Sequence, residues 1–437
     1  MNASPYVDIA ERIDKAALRV PRSKSGDGIS EAFLEYLQLL YTPEEAEIAR
    51  HLKVAEDMAW VTFNPSLLMP PIQIARVSGK PLKEVNRILG QMSKKSYVLD
   101  IRKALKASAL TWPVRLAGAL RKIQQAEGIT AALGLAKDFI RNVLANAREY
   151  GLRSGYEFLS LKLYGFPQIP YLINIQSAFP EIGPHDIRGA ELYQTFFVEE
   201  KYSRFYESSA KGTALMRTIS VAREIAPREK ILDSEEAHKI IDAASYVGLM
   251  PCPCRTRTEK LGTRQCKDKH PVGTCIVMGL LGMASEGLGI GRQVTHQEAK
   301  DYLDEMHTKG CVATTHNIED NTSSIICLCC GCCCSQTRGR IFWGNPDSVA
   351  TSNFFPVVDE KLCKFDGTCA EQCMFKAVTV EKENGKRWLN PELCIGCGVC
   401  AAVCKQKAVK LHRRERSAWL NKPRELYDKI DRENREG

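Results

Sequence analysis

The sequence predicts an α+β protein of several domains: a helical N-terminal half, a cysteine-rich domain in the middle and a small C-terminal domain built on a repeated cysteine motif. Three observations predict it. The chain has 437 residues, enough for two to four domains at roughly 100 to 200 residues each. All 18 cysteines follow position 251, so the two halves differ in kind. Helical spacing of apolar residues dominates the first 150 positions, whereas a strand–turn–strand pattern separates the last two cysteine runs. The resulting divisions are 1–101, 102–230, 231–350, 351–412 and a basic tail, 413–437.

With 44% hydrophobic and 26% charged residues the composition is that of an ordinary globular protein, which excludes collagen-like, wholly disordered and membrane-spanning classes. Eighteen cysteines are too dilute for a small disulfide-stapled scaffold, and a disulfide framework would not be confined to one half. The first residues carry Asp8, Glu11 and Asp14 and no apolar stretch, unlike a signal peptide. The most apolar run, Cys275 to Ala284, meets Glu286 long before it could span a bilayer. These features predict a cytoplasmic chain in a reducing compartment, where clustered thiolates bind metal. The net charge of +9 is uneven: residues 101–155 hold ten basic and three acidic side chains, and 405–437 hold eleven and six. Both stretches are candidate faces for an acidic redox partner, and a solvated charged face is the plainer reading.

In chain order, Ser30 caps a helix carrying Ala32, Phe33, Tyr36, Leu37, Leu39 and Leu40, and Thr42-Pro43-Glu44-Glu45 opens a second. A helix over Ile72–Ser78, a turn at Gly79-Lys80-Pro81, a helix over Leu82–Lys94 and a short strand at Tyr97-Val98-Leu99 follow. This succession resembles a winged helix-turn-helix over residues 30–101, with Lys83, Asn86, Arg87 and Gln91 outward on the second helix. A docking or dimerisation scaffold is the preferred use for it; contact with DNA is not expected. From Thr111 to Tyr150 the chain reads as helix, with Val114, Ala117, Leu120 and Ile123 facing the core and Arg115, Arg121 and Lys122 facing solvent. Trp112 and this basic face would suit an anionic membrane surface, which is not the favoured reading. Residues 155–200, rich in Tyr, Phe and Pro, join the halves, and a helix over Glu235–Val247 ends at Gly248, just before Pro251-Cys252-Pro253-Cys254.

The most specific motif is Cys394-Ile-Gly-Cys397-Gly-Val-Cys400-Ala-Ala-Val-Cys404, spaced C-x2-C-x2-C-x3-C. Three thiolates so spaced wrap one face of an iron–sulfur cubane, and Gly396 and Gly398 let backbone amides approach its sulfides. Thirty-one residues upstream Cys363-Lys-Phe-Asp366-Gly-Thr-Cys369-Ala-Glu-Gln-Cys373 repeats the run, with Asp366 in place of the second cysteine. Between them Ala377–Val380, Asn384-Gly385 and Arg387–Leu389 read as a hairpin. Residues 357–412 therefore resemble a bacterial-type two-cluster ferredoxin, which makes the C-terminal domain ferredoxin-like. The resemblance implies two 4Fe-4S clusters with exchanged fourth ligands: Cys394, Cys397, Cys400 and Cys373 for one; Cys363, Asp366, Cys369 and Cys404 for the other. With Asp366 as a harder oxygen ligand, the second is Asp-ligated 4Fe-4S or a 3Fe-4S cluster, unless Asp366 is a surface residue beside a three-cysteine site. The family's usual proline after each fourth cysteine is replaced by Met374 and Lys405.

The other eleven cysteines form two groups, Cys252, Cys254, Cys266 and Cys275, and Cys327, Cys329, Cys330, Cys332, Cys333 and Cys334, with Cys311 a buried free thiol between them. Four thiolates close a cubane or a tetrahedral zinc site, so the first group could complete one site alone. Adjacent cysteines in an extended chain face opposite sides, so the second group suits two clusters flanking a strand, or one larger cluster. Zinc and thiol–disulfide exchange are the competing chemistries, and iron–sulfur clusters are preferred. His270, His296, His307 and His316 lie nearby as structural residues or occasional ligands, and Arg255, Arg257, Lys260, Arg264, Lys267 and Lys269 supply positive charge. The expected function is single-electron transfer at low potential through several clusters, to or from a partner redox enzyme, a flavoprotein or catalytic subunit, in anaerobic metabolism. The alternative is a reductase with an active-site cluster at Cys327–Cys334; a redox-sensing DNA-binding regulator ranks third.

Overall fold

The computed structural model describes residues 4–16, 18–54, 64–108, 110–127, 129–167, 171–178, 187–221, 225–227, 232–322, 324–415 and 423–436. They form two compact units, one of Met1–Phe205, Thr256–Gly262 and Met283–Gly291, the other of Tyr206–Arg255, Thr263–Gly282 and Arg292–Gly437.

The first unit is helical. Ser30 accepts the Phe33 amide at 3.1 Å and starts the helix Glu31–Leu40, which buries Phe33, Tyr36, Leu37 and Leu40 as one stripe. Thr42 and Glu45 close a reciprocal capping box on Pro43–Ala49. The helix Pro71–Ser78 stops at Gly79, whose φ of +67° is a left-handed cap that suits glycine. Leu82–Lys94 follows and buries Val85, Ile88, Leu89 and Met92. Strand β1 (Leu99–Asp100) has two residues and pairs antiparallel with β2 (Tyr164–Gly165). Residues 55–63, within the winged-helix-like stretch, lie outside the described residues. On the outward face of the second helix Arg87 pairs with Glu44 and bonds Gln91, and Asn86 accepts from Lys162 at 2.9 Å. Three of the four outward polar side chains, Asn86, Arg87 and Gln91, are thus engaged within the protein.

The helix Trp112–Glu127 turns a different face inward from the one expected. Trp112 and Leu116 pack against Ile101, Phe139, Phe158 and Leu163, while Val114 is 76% exposed. An indole and an isobutyl group one turn apart remove more apolar surface from water than Val114 and Ala117 would. The side chains of Lys122 and Ile123 lie outside the described residues. Among the described residues no helix is long and apolar enough to cross a membrane.

The second unit centres on an antiparallel six-stranded sheet of β3 (Met216–Thr218), β4 (Val247–Pro251), β5 (Thr274–Met278), β6 (Arg292–Gln293), β7 (Val312–His316) and β8 (Ile325–Cys329), in the spatial order β3-β7-β8-β5-β4-β6. Leu249, Ile276, Ile326 and Leu328 bury one face against Ile240, Ile241, Leu303 and Met306 of the helices Ala237–Ala243 and His296–Thr308. Because strand side chains alternate, the same register sends Cys275, Cys327 and Cys329 to the other face.

Four further strands make two antiparallel pairs: β9 (Phe354–Val358) with β12 (Val409–Arg413), and β10 (Val378–Glu381) with β11 (Lys386–Leu389). The sequence repeat is also a backbone repeat. Val378 faces Leu389 as Val409 faces Val358. The Asn390 amide donates to Ala377 at 2.8 Å, as the Asp359 amide donates to Ala408 at 2.7 Å. Outer strand pairs with outer and inner with inner, so the end of each cysteine run is carried toward the start of the other.

Candidate metal centres

In each C-terminal repeat a glycine with φ +82°, Gly367 or Gly398, opens a helical turn, Thr368–Glu371 or Val399–Ala402. Cys373, Cys394, Cys397 and Cys400 line one cavity, together with Val312, Phe375, Ile395 and Val399. Backbone amides point at the sulfurs: Gly396 to Cys394, Val399 to Cys397, and Ala377 to Cys373 at 3.3 Å. Burial outweighs these amides, pushing the Cys400 thiol up to about 12 and Cys397 well above its ordinary value. Four apolar-walled thiols ionise together only when positive charge lies among them, which the irons of a cluster supply. The residues present therefore fit an iron–sulfur cluster.

The corresponding set is more open. Cys369 and Cys404 pack with Cys400, Ala401 and Val409. The Phe365 amide donates to Cys363 at 3.4 Å, matching Gly396 with Cys394. Phe365 holds φ +50° where Gly396 holds +70°. Asp366 is exposed, and its carboxylate accepts the Thr368 amide at 3.0 Å, just as the Cys397 thiol accepts Val399. Asp366 thus holds, on the solvent side, the backbone position in its run that Cys397 holds in the other.

The central cysteines regroup in a way the sequence did not show. Hydrogen-bonding contacts run from Cys252 to Cys254, Cys334, Cys329, Cys327, Cys275 and back to Cys252, a closed ring of six buried or half-buried thiols. The sheet builds half of it: the β5–β8 register sets Cys275 opposite Cys327, and Thr314 of β7 contacts Cys329 at 3.4 Å. Hydrogen bonds from Cys327 and Cys334 pull Cys329 down to about 6. Cys252 follows β4, Cys254 lies in the first turn of Pro253–Lys260, and Cys334 directly precedes the helix Ser335–Phe342.

Cys266 does not join Cys252, Cys254 and Cys275 in one site, as the sequence allowed. It meets Cys330, Cys332 and Cys333, and the four sulfurs lie within 4.8 Å of one another. Chain alternation explains the division: Cys329 and Cys330 are neighbours at the end of β8 and face opposite ways.

Charge surrounds both groups. Arg255, 1% exposed, bonds Val272 and Leu328 carbonyls and the Cys311 and Cys330 sulfurs. Arg264 bonds Cys266 and the His270 carbonyl. Arg257, from the same basic run, instead stacks 3.4 Å above Tyr193 in the helical unit. Cys311 is fully buried, and burial pushes it up to about 12. The four nearby histidines have their own partners: His270 lies 3.7 Å from Cys311, His296 bonds the Ala244 carbonyl, His307 the Cys311 carbonyl and His316 the Ser324 hydroxyl. Glu207, buried beside Cys254 and bonded to Asn345, was not singled out from the sequence. Burial and the Cys254 charge hold its carboxyl well above the carboxylate range, and a lone glutamate so far along the chain carries no sequence mark.

Compared with known families, residues 388–410 match the 4Fe-4S binding domain. No curated protein matches, nor does any solved structure. That match, over a stretch that holds Cys394, Cys397, Cys400 and Cys404, supports iron–sulfur cluster binding by the C-terminal domain.

Proposed function

We propose that the protein is an electron-transfer subunit that moves single low-potential electrons between a partner redox enzyme, a flavoprotein or catalytic subunit of anaerobic metabolism, and a series of its own clusters. The reading assigns one cluster to Cys373, Cys394, Cys397 and Cys400, a second to Cys363, Cys369, Cys404 and Asp366, and a further one to the six-thiol ring. The observation that carries it is the seat of Val312. This residue pairs in register with Cys329 of the ring and also lines the cavity of Cys373, Cys394, Cys397 and Cys400. Gly331, inside the cysteine run, reinforces the junction, since a Cβ there would stand 3.3 Å from Met374, next to Cys373. Ring and cavity are thus one side chain apart, the spacing an electron path needs. Bound clusters supply the one-electron carriers; the chain holds their irons, excludes water and neutralises their charge through Arg255 and Arg387.

Anaerobic purification with iron and acid-labile sulfide analysis tests the reading. Well above about eight irons per chain, the content of a bare two-cluster ferredoxin, is expected, and fewer would sink the series. The role of Asp366 is tested separately. Asp366→Cys is expected to convert a 3Fe-4S electron paramagnetic resonance signal in the oxidised protein into a 4Fe-4S signal on reduction, because a thiolate retains the iron that a hard, exposed carboxylate releases. An unchanged spectrum places Asp366 away from any cluster.

A further inference from the structure

Among the described residues, Cys266, Cys330, Cys332 and Cys333 form the group whose sulfurs all lie within 4.8 Å of one another. Their sulfurs are 3.8 Å apart for Cys266 and Cys330, 3.8 Å for Cys266 and Cys333, 4.0 Å for Cys330 and Cys332, and 3.4 Å for Cys332 and Cys333. A tetrahedron with metal–sulfur bonds of about 2.3 Å has edges of about 3.8 Å. A cubane needs a wider frame, because each cysteine ligates a different iron and points away from the iron–sulfide core. We infer that these four cysteines hold a single tetrahedral ion, zinc, in a closed site separate from the iron–sulfur clusters.

The surroundings agree. Cys266, Cys330 and Cys333 are buried and Cys332 is half-buried, so all four tetrahedral positions are filled by protein and no place is left for water or substrate. Four thiolates around a divalent ion carry two net negative charges, and two guanidiniums bond to that set, Arg255 at Cys330 and Arg264 at Cys266. The ion would tie the segment around Cys266 to the end of β8, which are 64 residues apart in the chain. That is a structural task, set beside the redox ring through Cys254, which packs against the same cysteines.

The test uses the full chain, grown with supplemented iron and purified anaerobically. Expected are about one zinc per chain and an X-ray absorption edge of zinc fitted by four sulfurs at about 2.3 Å. Cys332→Ser, at the most accessible of the four, is expected to lose that zinc while acid-labile sulfide and the cluster signals stay at wild-type levels. Three results overturn the inference: zinc below about a tenth of an equivalent per chain; loss of about four irons and four sulfides in the variant, which marks a cubane; or a single high-spin ferric ion in place of zinc. Iron and sulfide content of the unsubstituted protein decides the electron-transfer reading, and zinc content with the change in the Cys332 variant decides this one, so the two can fail independently.

Discussion

Cys373→Ala is expected to remove about four irons and four sulfides per chain, with loss of the cluster whose other three ligands lie in the following repeat, not its own. Cys373 shares a buried cavity with Cys394, Cys397 and Cys400, whereas Cys369 packs with Cys404 and Cys400. The outer-with-outer strand pairing of β9 and β12 is what would bring the end of each run to the start of the other. Cys404→Ala is the converse experiment and should abolish the signal of the Asp366-containing site alone. Electron paramagnetic resonance of both variants, oxidised and reduced, checks the pair. If Cys373→Ala instead erased the Asp366-dependent signal, each motif would be closing its own cluster. Removal of one metal-bound corner also withdraws folding free energy, so the Cys373 variant should bleach at lower denaturant.

Gly396→Ala is expected to be the most damaging single methyl in the C-terminal domain. Gly396 holds φ +70°, and a Cβ there would stand 2.0 Å from the Phe354 carbonyl oxygen and 2.4 Å from the Ser352 hydroxyl. The left-handed backbone costs a side chain about 1–2 kcal/mol, and forcing a methyl into packed atoms costs about 1–3 kcal/mol more. The methyl would also push β9 off the loop whose Gly396 amide bonds Cys394. Gly344→Ala is the control, since Gly344 has φ +64° with nothing within 4 Å of the new carbon and should show only the backbone cost. Denaturant bleaching of cluster absorbance compares the two. Equal midpoints would mean that the close approach at Gly396 carries no weight.

Local chemistry was legible in the sequence. Cys394, Cys397 and Cys400 lie within one short run, so their spacing alone fixes the face of a cubane that they can wrap. The capping of Ser30 and Thr42 and the buried stripe of Leu82–Lys94 also follow from neighbours three or four positions apart. Alternation along an extended chain even foretold that Cys329 and Cys330 would face opposite ways. What alternation does not say is which distant thiols wait on each side. Only the antiparallel register of β5 with β8 put Cys275 opposite Cys327, and only the loop after the helix Pro253–Lys260 returned Cys266 to Cys330. The inward face of Trp112–Glu127 was misread for the same reason: both faces carry apolar residues, and the partners that choose between them, Phe139 and Phe158, lie on other helices. Eighteen cysteines after position 251 determined that this chain binds metal. Spacing alone marked off the seven of the C-terminal repeat, whereas the division of the other eleven into a ring of six, a compact group of four and Cys311 apart was decided by contacts between residues far apart in sequence, which spacing does not encode.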